Sequence, residues 1–260
     1  MKSTEQIKEE VRERYAAAIS TPRPSCCGKD LPEDRIVAAA GYRPEELKVV
    51  PSDAVSNSLG CGNPLGIAGV KEGDVVLDIG SGAGLDCFLA AQKVGSAGKV
   101  IGLDMTPAMI EKARQNAAKG GIKNVEFRLG DAEIMPIEDH SVNWIISNCV
   151  INLSPDKASV FREAFRVLKP GGKVSITDIM VEELPEQLRE SLDLYCSCVA
   201  GAIPESKYLQ QMREAGFVDV QVTDRLVYDA DQVLSLIRDR ATADSAVGKV
   251  WTSRIIASKH

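Results

Sequence analysis

Cysteine is the side chain in this sequence with the strongest potential for chemistry. The chain has seven cysteines but only two histidines, His140 and His260, which disfavours a histidine general base or a histidine metal site. No two cysteines stand in a C-x-x-C pair, so zinc-ribbon and thioredoxin-type motifs are absent. An odd number of cysteines in a reducing compartment also predicts no disulfide framework. The cysteines are Cys26, Cys27, Cys61, Cys87, Cys149, Cys196 and Cys198.

Length and charge narrow the class of protein. The 260 residues are 44% hydrophobic and carry a net charge of −6, with no basic stripe. These values predict a globular monomer that binds neither nucleic acid nor an anionic membrane. The charged N-terminal segment lacks the apolar core of a signal peptide, and no apolar run reaches the ~18 residues of a membrane span. We therefore expect a cytoplasmic protein.

A glycine-rich turn is the second feature with chemical meaning. The sequence LDIGSGAG ends with a GxGxG pattern at 80–84, where glycines permit a tight turn and the close approach of a ligand. Leu85 breaks the GxGxxG pattern of dinucleotide-binding proteins. Asp104 ends the next apolar run, where an acid can bind ribose hydroxyls, and Asp131 follows the third run in GDAE, where a carboxylate can reach an adenine amine.

Alternating short apolar runs and amphipathic stretches surround this turn, a pattern typical of βαβ units. Thr106-Pro107 and Ser154-Pro155 predict the starts of two of the helices, with the second helix closing at 169–172. The sequence thus predicts an α/β fold, a doubly wound and mostly parallel sheet with an antiparallel edge pair. The predicted strands are 74–80, 99–105, 124–131, 142–148, 173–179, 217–224 and 252–259.

Three regions follow from these patterns. Residues 1–70 are predicted to form an N-terminal helical and loop cap that carries Cys26, Cys27 and Cys61. Residues 71–180 form the cofactor-binding core. Residues 181–260 hold a substrate-binding insertion and the C-terminal strands that complete the sheet.

The segments LDIGSGAG, LDM, GDAE and LKPGGKVSITD, taken in this order, resemble the class I S-adenosylmethionine-dependent methyltransferases over roughly 70–180. The resemblance implies their Rossmann-like fold and their cofactor. In that family Asp104 binds the ribose, Met105 packs on the adenine, and Asp131 and Ala132 reach the adenine edge. Asp86 also lies in a first helical turn, where the helix dipole stabilises a carboxylate whatever its function. The cofactor residues that the resemblance implies are Asp78, Gly80, Ser81, Gly82, Gly84, Asp86, Asp104, Met105, Asp131, Ala132 and Asn148.

Three further segments, SNCVINLSPDK, LGCGNP and CVAGA, resemble the arsenite S-adenosylmethionine methyltransferases. The similarity extends over almost the whole chain and includes the N-terminal SCCG and GYRPEEL. SNCVINL is the most specific segment, because the related quinone-biosynthesis methyltransferases lack a cysteine there.

This resemblance implies that Cys61, Cys149 and Cys198 hold trivalent arsenic, supplied as arsenite, methylarsenite or their thiol conjugates, for detoxification. Thiolates suit a soft, thiophilic centre, and an arsenic lone pair needs no base, which agrees with the scarcity of histidine. Methylation makes the arsenic pentavalent, and cysteines reduce it again by forming a disulfide that thioredoxin or glutathione restores. The fourth cysteine of the family is Cys27 or Cys26; we favour Cys27, which Gly28 follows.

Other assignments stay open at this point. Cys87, inside a helix, is interpreted as a core thiol, and Cys196 could replace Cys198 but lacks its V-A-G-A context. Leu59 stands where some family members have an aromatic residue against the cofactor. Two alternative functions are a small-molecule C-methyltransferase of the ubiquinone or menaquinone type and a non-catalytic thiol metalloid binder.

Overall fold

The computed structural model describes residues 3–20, 40–58, 60–66, 68–182, 195, 198–237 and 240–260. The predictions for Cys26, Cys27, Leu59 and Cys196 lie outside the described residues. Seven strands occur in the described part of the chain: β1 Val75–Ile79, β2 Lys99–Asp104, β3 Val125–Leu129, β4 Val142–Asn148, β5 Leu168–Val181, β6 Val218–Val227 and β7 Val250–Ser258.

The strands form one sheet in the order β3-β2-β1-β4-β5-β7-β6. Strands β1 to β5 are parallel to their neighbours, whereas β7 runs antiparallel between β5 and β6. The predicted doubly wound sheet with an antiparallel edge pair is confirmed. The strand order reverses between β1 and β4, and ligands of such sheets bind in the crevice beyond the carboxyl ends at this point.

The helices pack on this sheet and connect its strands. Their bounds are α1 Thr4–Ser20, α2 Pro44–Leu47, α3 Ser52–Ser56, α4 Leu85–Val94, α5 Pro107–Lys119, α6 Lys157–Val167, α7 Glu205–Glu214, α8 Ala230–Leu236 and α9 Arg240–Ala246. Single 3-10 turns occupy Pro64–Gly66 and Ile151–Leu153. Among the described residues, no helix has the length and apolar character needed to span a bilayer.

An apolar core lies on each face of the sheet. On the face covered by α4 and α5, Phe88 meets Phe127 edge to face, with ring centroids 5.9 Å apart. On the opposite face Phe161 of α6 packs against Tyr208 of α7 in the same way, at 5.0 Å. Since both faces are covered, most residues of the central strands are buried, which explains their Val- and Ile-rich sequences.

Two predicted boundaries were wrong. Helix α6 begins at Lys157 instead of Ser154-Pro155, because the Asp156 side chain caps it by accepting the Ser159 N–H (3.0 Å). The Ser154 hydroxyl donates to Glu133 instead (2.7 Å). Residues 169–172, predicted to close that helix, already belong to β5.

Candidate active site

A cavity of about 1000 Å³ opens at the carboxyl ends of β1, β2 and β4. The glycine turn after β1 forms its floor, and helix α1 lies over it through Lys8, Val11 and Tyr15. Most predicted cofactor residues line this cavity. They are Asp78, Gly80, Ser81, Gly82, Asp86, Asp104, Met105, Ala132 and Asn148.

The glycine turn is held by the acid at the end of β2. Asp104 accepts the N–H of Gly82 through Oδ2 (2.9 Å) and that of Thr106 through Oδ1 (2.8 Å). Gly82 has φ +51°, and a Cβ there would meet no atom within 4 Å, so its backbone faces open space. Ser81 Oγ is buried in the cavity wall without a hydrogen-bond partner among the described residues. The turn therefore combines an open backbone at Gly82 with a polar side chain that lacks a protein partner among the described residues.

Three carboxylates, of which Asp78 and Asp86 are buried, give the cavity its charge preference. Burial raises the pKa of Asp86 to about 6, and it also raises the pKa values of Asp78 and Asp104. A cation bound beside them would stabilise the ionised forms. S-adenosylmethionine carries a positive sulfur and an ammonium group, so the acids, the open turn and the unpaired Ser81 hydroxyl fit this cofactor.

Two predicted cofactor residues do not line the cavity. Gly84, at φ +99°, precedes α4, and a Cβ there would lie 2.7 Å from Phe88, so this glycine serves helix packing. The Asp131 carboxylate faces Lys8 (3.6 Å) and Arg12 (4.0 Å) of α1. Its contact with adenine stays a prediction.

A disulfide joins two of the three predicted arsenic ligands. Cys61 and Cys149 are bonded although they stand 88 positions apart in the sequence. The sequence predicts no disulfide framework, and this single bond forms because the fold places the loop before β1 beside the end of β4. Cys149 borders the cavity. The two thiols thus meet at the wall of the cofactor cavity.

Cys198 lies next to this pair as a buried thiol. Its Sγ donates to the carbonyl oxygen of Cys149 (2.8 Å), within an apolar cluster that includes Leu153 and Val199. Cys149 and Cys198 have φ values of +59° and +63°, a left-handed conformation that is uncommon outside glycine. Such strain persists only where the surrounding structure enforces it, and it occurs most often at functional sites.

The predicted trithiolate is not assembled in this structure. Two of its sulfurs are bonded to each other and the third contacts a carbonyl, and the described residues contain no Cys, His, Asp and Glu group arranged to hold a metal ion. Reduction of the disulfide and reorientation of Cys198 are required before the three sulfurs share one centre.

Two residues contact the acids of the cavity although the sequence did not predict these contacts. Tyr42, in the GYRPEEL segment, donates to Asp86 (2.7 Å), and burial raises the pKa of its hydroxyl. Cys87 is buried, as predicted for a core thiol, and its Sγ also donates to Asp78 (3.3 Å). The GYRPEEL segment was a sequence signal for Tyr42. Its hydrogen bond to Asp86 could not be predicted from local patterns, because the two residues lie 44 positions apart.

Helix α1 covers the cavity and is held there by charge. Lys8, which is largely buried, pairs with Glu133 (2.9 Å), and Ser154 donates to the same carboxylate (2.7 Å). Val11 of α1 packs in the apolar cluster that contains Cys149 and Cys198. The N-terminal helix therefore contacts both the cofactor cavity and the thiol cluster.

Comparisons with known proteins identify the family. A family model described as a methyltransferase domain matches residues 70–216. An arsenite methyltransferase of Halobacterium salinarum is 42% identical over 98% of this chain and 67% of its own length. The chain belongs to the arsenite methyltransferase family. A second arsenite methyltransferase, from Aquipseudomonas alcaligenes, is 39% identical over 76% of this chain and 57% of its own length.

A solved structure in the arsenite methyltransferase family has the same fold. The arsenic(III) S-adenosylmethionine methyltransferase from Chlamydomonas reinhardtii superposes with a TM-score of 0.66 and 35% sequence identity. The match covers 88% of this chain and 74% of that one. The present chain spans between about half and two thirds of the curated relatives named above.

Proposed function

We propose that the protein transfers a methyl group from S-adenosylmethionine to trivalent arsenic held by the thiolates of Cys61, Cys149 and Cys198. The observation that carries the proposal is the meeting of two distant thiols, Cys61 and Cys149, at the wall of the cavity that the glycine turn forms. The third thiol, Cys198, touches the backbone of Cys149. The substrates are arsenite and methylarsenite or their thiol conjugates, and the methylated products serve detoxification.

The residues of the cavity have separate tasks in this proposal. Asp78, Asp86 and Asp104 hold the cationic end and the ribose of S-adenosylmethionine, and Met105 and Ala132 border its adenine. When bound, the cofactor supplies a methyl group on a positively charged sulfur. The three thiolates leave a pyramidal arsenic with one lone pair, which can accept the methyl without loss of a proton. The protein therefore contributes position more than acid–base chemistry.

The electron count requires a reductant. The lone pair of arsenic would form the new As–C bond as the methyl–sulfur bond of the cofactor breaks and S-adenosylhomocysteine leaves, so arsenic would pass from the trivalent to the pentavalent state. Two thiolates then return two electrons to arsenic and become a disulfide, which an external thiol such as thioredoxin or glutathione reduces. The Cys61–Cys149 disulfide supports this step, because these sulfurs reach bonding contact within the folded chain. Cys27, or Cys26, is the proposed additional redox thiol.

The test is methyl transfer itself. The reduced protein is incubated with methyl-labelled S-adenosylmethionine, arsenite and a thiol reductant, and the arsenic species are separated. We expect labelled methylarsenicals from the wild type and none from Cys198→Ser. Cys196→Ser, two positions away, is the matched control and should keep full turnover.

Other outcomes would contradict this function. Tight arsenite binding without label transfer would instead indicate a thiol metalloid binder. Label transfer to a demethylated quinone precursor, and not to arsenic, would indicate a C-methyltransferase.

A further inference from the structure

One side chain connects the thiol loop with the acids of the cofactor cavity. Asn148 Oδ1 accepts the backbone N–H groups of Cys61 (3.0 Å) and Gly62 (3.1 Å). Its Nδ2 lies within hydrogen-bond distance of the Gly62 carbonyl (2.5 Å), the Tyr42 hydroxyl (3.0 Å) and Asp86 (3.1 Å). Both ends of this amide are thus engaged by the protein.

We propose that Asn148 is a positioning residue that fixes the Cys61 thiol opposite Cys149 and connects this pair to Asp86. Its predicted role was contact with the cofactor, but its hydrogen bonds are directed at the loop that carries Cys61. The proposal rests on the proposed function only in treating Cys61 and Cys149 as ligands of arsenic.

The sheet makes Asn148 a fixed point. It is the last residue of β4, pairs in register with Thr177 of β5, and directly precedes Cys149, whose N–H donates to the Thr177 carbonyl (2.8 Å). Residues 60–63 belong to no helix or strand, so side-chain contacts must set their position. Because one amide oxygen accepts two successive N–H groups, it defines both the place and the orientation of the Cys61 backbone.

The glycines beside Cys61 support this interpretation. A Cβ at Gly60 would lie 2.3 Å from Asn148 Nδ2, and a Cβ at Gly62 would lie 2.3 Å from Thr177 Cγ2. Glycines on both sides of a cysteine could serve only to keep its thiol accessible. The structure shows instead that they let the loop backbone approach β4 and β5 closely enough for Asn148 to hold it.

The test measures how strongly the fold brings the two thiols together, without arsenic. The Cys61–Cys149 disulfide is equilibrated with glutathione buffers, and its oxidised fraction gives the effective concentration of one thiol for the other. We expect Asn148→Ala to lower this concentration by about tenfold, since two hydrogen bonds to the loop are lost. Gly60→Ala, which inserts a methyl beside the amide, should have the same effect.

Two further variants separate positioning from general stability. Asn143→Ala, on the same strand, removes another amide oxygen that accepts a backbone N–H, that of Val75 (3.0 Å). It should lower the unfolding temperature and leave the effective concentration unchanged. Asn148→Asp keeps an acceptor for both loop N–H groups but loses the donor to the Gly62 carbonyl and to Asp86. It should therefore lower the effective concentration less than Asn148→Ala does, and it should alter cofactor affinity.

The proposal is overturned if Asn148→Ala leaves the effective concentration unchanged, or if Asn143→Ala lowers it equally. The proposal is supported if the effective concentration falls in Asn148→Ala and Gly60→Ala but not in Asn143→Ala. A wild-type protein that fails to methylate arsenic would refute the proposed function and leave this result standing, so the two failures are distinguishable.

Discussion

At the scale of single residues, the backbone of Cys149 and Cys198 is as informative as their sulfurs. Cys149 and Cys198 both adopt a left-handed conformation that glycine would adopt without steric cost. A cysteine retained at such a position bears a cost in stability, which a need for the thiol would explain. Asp86 is the second informative residue, because its buried carboxylate accepts hydrogen bonds from Tyr42 and Asn148.

Substitution of Cys149 separates the stability cost of its backbone conformation from the functional role of its thiol. Under reducing conditions we expect Cys149→Gly to be more stable than Cys149→Ser by about 1 kcal/mol, because glycine accepts the positive φ. Both variants should lose arsenic methylation. Thermal unfolding with excess reductant and the labelled-methyl assay measure the two effects, and near-normal turnover in either variant would contradict the role of the thiol.

Asp86 predicts a pH dependence of cofactor binding. Burial raises its pKa to about 6 in the folded protein, so the carboxylate becomes protonated as the pH falls through 6. Affinity for the cationic cofactor should decrease by about tenfold between pH 7 and pH 5. Calorimetric titration across this range is the measurement. Asp86→Asn should bind weakly with no such dependence, and an unchanged slope in that variant would assign the titration to another group.

The same shift has a defined sign for stability. Because the folded pKa lies above the ordinary value of 3.8, the folded protein holds this proton more tightly than the unfolded chain. The contribution of Asp86 to the free energy of unfolding is therefore greatest at acid pH and is lost as the pH rises from about 4 to about 6.

At the scale of elements, the strands were more predictable from the sequence than the start of helix α6 and the long-range contacts of Asn148. Strand positions and the glycine turn follow from local periodicity, and the structure confirms them. The start of α6 could not be predicted in the same way. The Ser154 hydroxyl donates to Glu133, which lies 21 positions away, and Asp156 caps the helix instead. The contacts of Asn148 were equally hidden, since its partners Tyr42 and Gly62 lie 106 and 86 positions away.

Helix α1 predicts a step in cofactor exchange that depends on one ion pair. The pair between Lys8 and Glu133 holds the helix over the cavity, and both side chains are largely buried. Added salt should therefore change the rate of cofactor release little, because buried pairs are screened much less than exposed ones. Lys8→Met, which keeps most of the length of the side chain, should release the cofactor up to about fivefold faster at every salt concentration.

Stopped-flow release of a fluorescent cofactor analogue measures this effect. Lys99→Met is the matched control, because it removes a lysine paired with Glu126 at the opposite end of the sheet. An equal change in both variants would indicate an effect of net charge and would exclude the helix contact.

At the scale of the whole molecule, the cysteine pair closes a large part of the chain. The link between Cys61 and Cys149 joins positions 88 apart in the sequence, and strands β1 to β4 lie within this loop. Closing such a loop reduces the conformational freedom of the unfolded chain. The sheet that binds the cofactor is thus also stabilised by the state of these thiols.

Reduction of the disulfide and binding of arsenite should therefore change the free energy of unfolding in opposite directions. Reduction of the disulfide is expected to lower the free energy of unfolding by about 2 to 4 kcal/mol. Arsenite added to the reduced protein should recover part of this loss, since a bridging arsenic closes the loop again. Calorimetry of the oxidised, reduced and arsenite-treated forms tests this prediction. Cys61→Ser should show no redox-dependent shift, and a persistent shift would reveal a different disulfide.

The position of β7 between β5 and β6 sets an order of events during synthesis. Strand β6 has no partner in the described sheet except β7, so it cannot pair until Val250–Ser258 has left the ribosome. The five parallel strands, which include the three that border the cofactor cavity, need no such delay. A nascent chain could therefore assemble its cofactor-binding half while the edge of β5 is still unpaired, and that edge would be its most aggregation-prone surface.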